Sequence, residues 1–511
     1  MVGAVRRFLF SLCIGAFVAS AAASAQQSGT ALPGDRVGRV SFVEGSVSWR
    51  GAAANARTDA VANEPVAAGA ALRTAAPARA EIEIGADTVD LAEGTEIEIA
   101  RLDDRMVEIA VPQGRVEIVL RQPGDGENVE IDVPRGGVWL QQPGRYDIDA
   151  GGQDRPLRIS VFAGRARFAG GGTDIGVKAG DAAVVAGTGP AAATTEPASP
   201  DAFADWCRER DWDETKLAAP YFVSPNMTGF DALDAAGDWQ HSDEYGEVWF
   251  PTSLPADWAP YRQGRWNWVP PWGWTWIDDQ PWGFAPSHYG RWALFGQRWG
   301  WVLGGFVADP VYAPALVAFL GTPGIGLSYA EGTGPAIGWF PLAPGETYRP
   351  GYTGDLDYIR RLNRGSVADL DAIRAQAGDT VPLEIVNRHF ADRLFASVVP
   401  RPVFAGGLPV MPALLELPAE RLQNAPVVMG SPQIGPPPAA AHAPAPVAAA
   451  ASKDAVAAKA VNFAALRSHG VHLRAPGYAA PPHPQRIVIL QLARAVRAPA
   501  HPAAHKKETR R

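Results

Sequence analysis

Val40-Ser41-Phe42-Val43-Glu44-Gly45-Ser46-Val47-Ser48-Trp49 and, further on, Glu81-Ile82-Glu83-Ile84 decide the fold class of this chain. In both stretches apolar and polar residues alternate with the two-residue period of a strand buried on one face. The alternation returns in Thr95-Glu96-Ile97-Glu98-Ile99, Val107-Glu108-Ile109-Ala110-Val111, Arg115-Val116-Glu117-Ile118-Val119, Val129-Glu130-Ile131-Asp132-Val133 and Leu157-Arg158-Ile159-Ser160-Val161. Gly or Pro separates most of these runs, which reads as an antiparallel sandwich, barrel or roll over residues 36–188. The Glu and Arg side chains of the alternate face read as solvated surface.

The remaining composition agrees with a mainly β protein. The chain has 511 residues, enough for about three domains. Gly and Pro make up about a fifth of it, 47% is apolar and 20% is charged, a turn-rich balance that argues against a helical bundle and for few, short helices. Of the two Cys, Cys13 lies in the first 25 residues, which leaves Cys207 alone. A disulfide scaffold and a Cys-based zinc site are thereby excluded for the remainder. Arg6-Arg7, the apolar run from Phe8 to Ala23, and Ala23-Ser24-Ala25 have the order of a secretory signal cut after Ala25. No later stretch has the length and continuity of a membrane span, so residues 1–25 predict an exported protein, periplasmic or secreted.

Residues 189–235 read as a linker carrying one short helix, with Ser199-Pro200-Asp201 at its start and Phe203, Trp206 and Cys207 on one face. Residues 236–345 form a repeat. Gly237-Asp238-Trp239, Gly264-Arg265-Trp266 and Gly290-Arg291-Trp292 recur at intervals of 27 and 26, and a second Trp follows in each unit at Trp249, Trp276 and, one residue early, Trp301. Each unit predicts a small antiparallel hairpin. Thirteen of the 17 Trp fall between 239 and 339. Two readings stay open: indoles as core, each burying on the order of 200 Å², or exposed indoles as a platform for sugar rings or quaternary amines. For the second reading the candidate ligand-binding residues are Trp272, Trp274 and Trp282, beside Pro271, Pro281 and Asp278-Asp279.

No reaction is legible. Asp278-Asp279 with His288 is the one close grouping of acid and imidazole in the Trp region, and neighbouring strand residues face opposite ways, so a turn explains the acids better than a shared site. No nucleophile motif, metal-spaced His pair or phosphate loop accompanies them, which points to no enzyme, no cofactor and no metal. Residues 346–431 predict a mixed helical and extended segment packed on the repeat, with helices at Asp355–Arg361 and from Ser366 through Ala375. Residues 432–511 are rich in Ala, Pro and His and hold 11 Lys and Arg against 2 Asp and Glu, a net +9 beside −17 for the rest. That composition reads as a disordered basic tail suited to anionic envelope polymers or lipid head groups, and export makes nucleic acid an unsuitable partner.

Two resemblances follow from these residues. Gly38 to Val47, Arg115-Val116-Glu117-Ile118 after Gly114, Val133-Pro134 leading to Pro143-Gly144-Arg145-Tyr146, and Val161-Phe162-Ala163-Gly164-Arg165-Ala166 resemble the regulatory β domain of the FecR family. The resemblance implies that fold, and protein or envelope partners, with no catalytic residues. Family members that relay a signal carry a membrane span before this domain, where this chain has a cleavable signal instead. Tyr245-Gly246-Glu247-Val248-Trp249-Phe250-Pro251, Trp258-Ala259-Pro260-Tyr261-Arg262, Pro281-Trp282-Gly283 and Gly338-Trp339-Phe340-Pro341-Leu342 resemble an uncharacterised Trp-rich family of exported bacterial proteins, often found behind a FecR-like domain. The expectation is a non-enzymatic envelope protein whose β modules bind a protein or a cell-wall glycan. Its alternatives are a peptidoglycan-binding module using exposed Trp, and a FecR-type surface-signalling regulator working through a separate membrane partner.

Overall fold

The computed structural model describes residues 32–437, apart from breaks at 53–55, 122–127, 153, 188–190, 212–216, 256, 329–333 and 368–389. The signal at 1–25, most of the 432–511 tail and the helix expected from Ser366 lie wholly or largely outside the described residues. The protein is mainly β, with five short α-helices among the described residues.

Residues 38–197 make two nine-stranded sheets. The first runs, edge to edge, Ala192–Pro197, Asp181–Ala186, Leu157–Ala163, Gly144–Asp149, Arg115–Leu120, Asp87–Leu91, Arg79–Ile84, Gly38–Glu44 and Pro65–Val66. The second runs Thr173–Lys178, Arg165–Gly170, Gly136–Leu140, Asn128–Val133, Met106–Gln113, Glu96–Leu102, Ala71–Thr74, Val47–Arg50 and Thr58–Asp59. Every pairing is antiparallel except Asn128–Val133 with Met106–Gln113. The chain crosses repeatedly between the sheets, so the apolar side of each alternating run meets the other sheet in one aliphatic core, with Ile82, Leu91, Ile97, Ile99, Ile131 and Ile159 fully buried. The Pro143-Gly144-Arg145-Tyr146 segment is held by Tyr146, whose hydroxyl donates to the Gln142 carbonyl and accepts from the Arg165 amide at 3.1 Å. Gly164 (φ +88°) passes so close that a Cβ there would lie 2.1 Å from that hydroxyl.

Two expectations for this region are corrected. Residues 192–197 are no linker: they pair along Asp181–Ala186 as the edge strand of the first sheet. Ala-Thr-Thr lacks the alternation of a half-buried strand, yet its backbone groups find partners on an open sheet edge. The second correction concerns the alternate face, which is solvated on the second sheet only. On the first sheet Glu81, Glu83, Asp90, Glu117 and Asp147 are all buried.

What covers them begins with helix α1 (Ala202–Arg210), which starts at the expected segment and is capped by the last residue of Ser199-Pro200-Asp201, the Asp201 carboxylate accepting from the Phe203 and Ala204 amides. Phe203 and Cys207 are buried, and the half-buried Trp206 lies 6.0 Å from the Phe42 ring of the sheet. Further along the same face the Trp-rich region docks. Arg39 donates to Glu83 at 2.7 Å, to the Asn63 side chain at 3.0 Å and to the Pro281 carbonyl at 2.7 Å, and Asn63 donates to the carbonyls of Asp278 and Gln280. Thr228 bonds both Gly85 and Val37.

The Trp-rich region has three sheets. A four-stranded sheet joins Gly237–Ser242, Gly246–Pro251, Arg298–Val302 and Arg291–Phe295; Gly264–Val269 and Gly273–Asp278 form a hairpin of their own; and a third sheet carries Val317–Leu320 and Pro335–Pro341. The C-terminal segment completes that third sheet through Ser397–Pro400 and Val427–Met429, and adds the expected helix, Leu356–Asn363, capped by Asp355. The ordered body extends past the boundary expected at 432: Ile434 is buried, and its carbonyl accepts the indole N–H of Trp274 at 2.8 Å.

Candidate functional site

The three repeat units are built to one rule. In each hairpin the Gly-x-Trp indole sits directly opposite the second Trp: Trp239 with Trp249, Trp266 with Trp276, and Trp292 with Trp301. The glycine is required because that second indole lies over it. A Cβ on Gly237, Gly264 or Gly290 would come within 2.4 Å, 2.7 Å and 2.7 Å of the Trp249, Trp276 and Trp301 rings. The third unit, whose second Trp comes one residue early, obeys the same rule with a shorter turn. Two residues separate Phe295 from Arg298, where three separate Val269 from Gly273, so the opposed Trp pair survives the deletion.

These indoles are the core. Of the thirteen Trp between 239 and 339, eleven are buried and Trp239 and Trp268 are half-buried. Edge-on contacts dominate, as at Trp266–Trp276 (5.5 Å, 67°), Trp249–Trp282 (5.0 Å, 60°) and Trp268–Trp274 (5.6 Å, 88°), the arrangement that the ring quadrupole favours. Several of the buried N–H groups donate to backbone carbonyls: Trp249 to Leu233, Trp292 to Pro286, Trp301 to Tyr289 and Trp339 to Tyr261.

The platform residues are therefore placed differently from the expectation. Trp272, Trp274 and Trp282 are 6%, 5% and 5% exposed and present no open face. Trp272 packs on Tyr312 at 5.0 Å, Trp274 on Phe404 at 4.6 Å, and Trp282 between Trp249 and Trp258. The physical reason is the scarcity of aliphatic residues in the hairpins, which leaves indoles to exclude water. Trp268 is the indole beside open space. It lines a cleft of about 430 Å³ with Arg349, Pro350, Met429, Ser431, Gln433 and Ile434. Sequence alone gave Trp268 no distinction from its neighbours, because the cleft is made by segments more than 80 residues away.

The acid and imidazole grouping is also structural. Asp278 is buried and accepts from Trp276 Nε1 and the Gln280 amide, both at 2.9 Å, which is the expected turn. Burial pushes its carboxyl up to about 7. Asp279 faces outward and pairs with Arg265 at 3.3 Å. His288 is buried against Phe284 and Tyr312, with Nδ1 2.7 Å from the Ala313 carbonyl, and burial pushes it down to about 3, so it is neutral at ordinary pH. Among the described residues there is no group of three or more His, Cys, Asp or Glu that could hold a metal ion, and no helix is long and apolar enough to cross a membrane.

Sequence reasoning missed a second arrangement entirely. Glu81, Asp90, Glu117 and Asp147 stand directly opposite one another on four adjacent strands of the first sheet. Arg210 of α1 reaches Glu81 at 3.1 Å, Arg145 reaches Glu117 at 2.6 Å, and Arg115 reaches Asp147 at 2.7 Å. Asp90 is bonded to the Cys207 thiol, which burial and the acids beside it push well up. The hairpin register that opposes Glu81 to Asp90 was inferable from the short turn at Gly85-Ala86. Its continuation to Glu117 and Asp147 depends on strand order.

Among curated proteins none matches this chain. Two crystal structures of a proposed anti-sigma factor from Parabacteroides distasonis are similar at 14% and 13% identity, with TM-scores of 0.23 and 0.24. The similarity takes in 25% of this chain and 60% of the first solved chain, and 36% of this chain and 99% of the second. Residues 230–346, which hold the three hairpins and most of the third sheet, match the Family of unknown function (DUF6600), over roughly a quarter of the chain.

Proposed function

We propose that this is an exported, non-enzymatic envelope protein whose two β regions serve as a rigid scaffold for a protein partner, in a structural or regulatory role. The observation that carries the reading is the use made of the chemistry-bearing residues. The indoles of the repeat and the Asp278 and His288 side chains are spent on internal packing and hydrogen bonds, and Arg39 fastens the two β regions to each other through buried contacts. The FecR resemblance of residues 36–188 supports a regulatory partner, and the order of residues 1–25 supports export to the periplasm or outside the cell. The basic tail supports a salt-sensitive tether to anionic polymers or lipid.

A glycan reading is favoured by one observation, the half-buried Trp268 in its open cleft. Co-sedimentation with purified cell-wall sacculi tests both readings. Salt-resistant pelleting lost in Trp268→Ala is the glycan outcome. Salt-sensitive pelleting that disappears when the chain ends at Pro437 is the tether outcome. No pelleting, with a specific envelope protein recovered by cross-linking in intact cells, is the scaffold outcome; pelleting by both arms with no cross-linked partner overturns it.

A further inference from the structure

A row of four carboxyls in direct cross-strand register is an expensive thing to bury. Like charges opposed across a sheet are destabilising, and ionised groups out of water need matched counter-charges. Here the charges do not match. Counting Asp201 and Asp211 at the two ends of α1, six carboxyls meet Arg115, Arg121, Arg145 and Arg210. Arg115 is shared between Asp147 and Asp201, and Arg145 between Glu117 and Asp211.

Asp90 is the focus. From the neighbouring strands it faces Glu81 and Glu117, and from α1 it faces Cys207 and Arg210. It makes no ion pair among the described residues, and its Oδ1 is buried without a hydrogen-bond partner, as is Glu117 Oε2. Four further groups border the row. Ser41 donates to Glu81 at 2.6 Å, Arg79 lies over the Trp206 ring, Arg121 bonds Asp211, and Ser160 stands opposite Asp147. Two buried carboxylate oxygens without donors, in a row short of cations, mark a place where a proton belongs.

We propose that this row is a proton-binding site with α1 as its lid: the helix stays docked while the row holds a proton, first at Asp90, and lifts when that proton passes to solvent. Loss of the proton raises the unmatched negative charge of these six carboxyls and four arginines from one to two and puts a bare charge on Asp90 beneath an apolar helix face, and rehydration by undocking relieves it. Burial and its acidic neighbours hold Asp90 well above the carboxylate range, and burial holds Glu117 up to about 7, so release falls on the neutral to alkaline side. The sign is set by these raised values: docking is complete at mildly acidic pH and weakens as pH rises through them.

Cys207 is a built-in reporter, because it lies under the lid. The test is the alkylation rate of Cys207 in the full chain, read by mass spectrometry of its peptide from pH 6 to 9 and divided by the rate of a free thiol at each pH. The corrected rate is expected to rise at least about tenfold across that range, and to stay near its pH 6 value in Asp90→Asn, where a neutral isostere replaces the protonated acid. A flat corrected rate in the unsubstituted protein overturns the proposal, and so does a rise that persists in Asp90→Asn. Should Asp90→Asn fail to fold, amide exchange over Ala202–Arg210 in the unsubstituted protein decides. Protection lost on raising the pH, beyond the intrinsic rate change, supports the lid, and constant protection overturns it.

Discussion

The tetrapeptide Glu-Ile-Glu-Ile occurs twice in the first β region, at 81–84 and at 96–99, and the two copies lie in opposite sheets. Their isoleucines are equivalent: Ile82, Ile84, Ile97 and Ile99 all enter the shared core. Their glutamates are not. Glu83 is sealed against Arg39 at 2.7 Å and Glu81 against Ser41 and Arg210. Glu96 and Glu98 lie at the surface, paired with Arg57 and Arg50 across half-open ion pairs. Identical local chemistry thus acquires opposite roles, because α1 and the Trp-rich region cover one sheet while the second sheet keeps water on its outer face. The inward half of a strand pattern is a property of the strand. The outward half belongs to whatever docks there.

That contrast can be broken most severely at Arg39. Arg39→Ala leaves Glu83 buried without its cation and is expected to cost about 3–5 kcal/mol in urea unfolding, whereas Arg50→Ala, which frees Glu98 at the surface, should cost no more than about 0.5 kcal/mol. Equal losses would erase the distinction between the two faces. On the inward side the copies should behave alike. Ile82→Ala and Ile97→Ala are each expected to lower stability by about 2–5 kcal/mol, and a large gap between them would show that the core is not shared evenly.

Glu64 sharpens the contrast through pH. Its buried carboxyl is raised to about 7 by desolvation, against a hydrogen bond from Asn267 and the charge of Arg265. A carboxyl raised in the folded state contributes stability that is complete below its unfolded value of 4.5 and is lost as pH rises through about 7. Between pH 4.5 and 8 the native protein should lose more stability in unfolding titrations than Glu64→Gln does, by on the order of 2–3 kcal/mol, the remaining loss belonging to other raised carboxyls such as Asp278 and Glu117. The smallest effect is expected at the exposed copy. Glu98→Gln should change stability by less than about 0.5 kcal/mol at any pH between those limits, and a larger change would mean that the second sheet is covered in solution.

Much of the architecture was legible residue by residue. The two-residue period located the strands around Val40, Ile82, Ile97 and Ile131, Asp201 and Asp355 announced their helices, and Gly-x-Trp at 27- and 26-residue intervals announced three hairpins. The edge strand at Ala192–Pro197 escaped because a strand whose neighbour supplies the register needs no pattern of its own. Trp272, Trp274 and Trp282 were misplaced for a different reason. An indole carries the same alternation whether its face meets Tyr312, Phe404, another Trp or water, and only the packing of distant segments chooses among these.

The sequence by itself therefore determined the class of fold, the strand and hairpin positions, the glycine under each paired indole and the excess of basic charge at the C-terminal end. Those features follow from period, turn chemistry and composition, which act over a few residues. Tertiary structure decided which of two equal Glu-Ile-Glu-Ile strands would bury its acids, that Glu81, Asp90, Glu117 and Asp147 would meet in one row beneath Cys207, and that Trp268 would be the indole beside an open cleft. Burial and electrostatics are set by what lies across a sheet or beyond a turn, and strand order and helix docking bring together residues that lie far apart along the chain, such as Glu117 with Asp147 and Asp90 with Cys207.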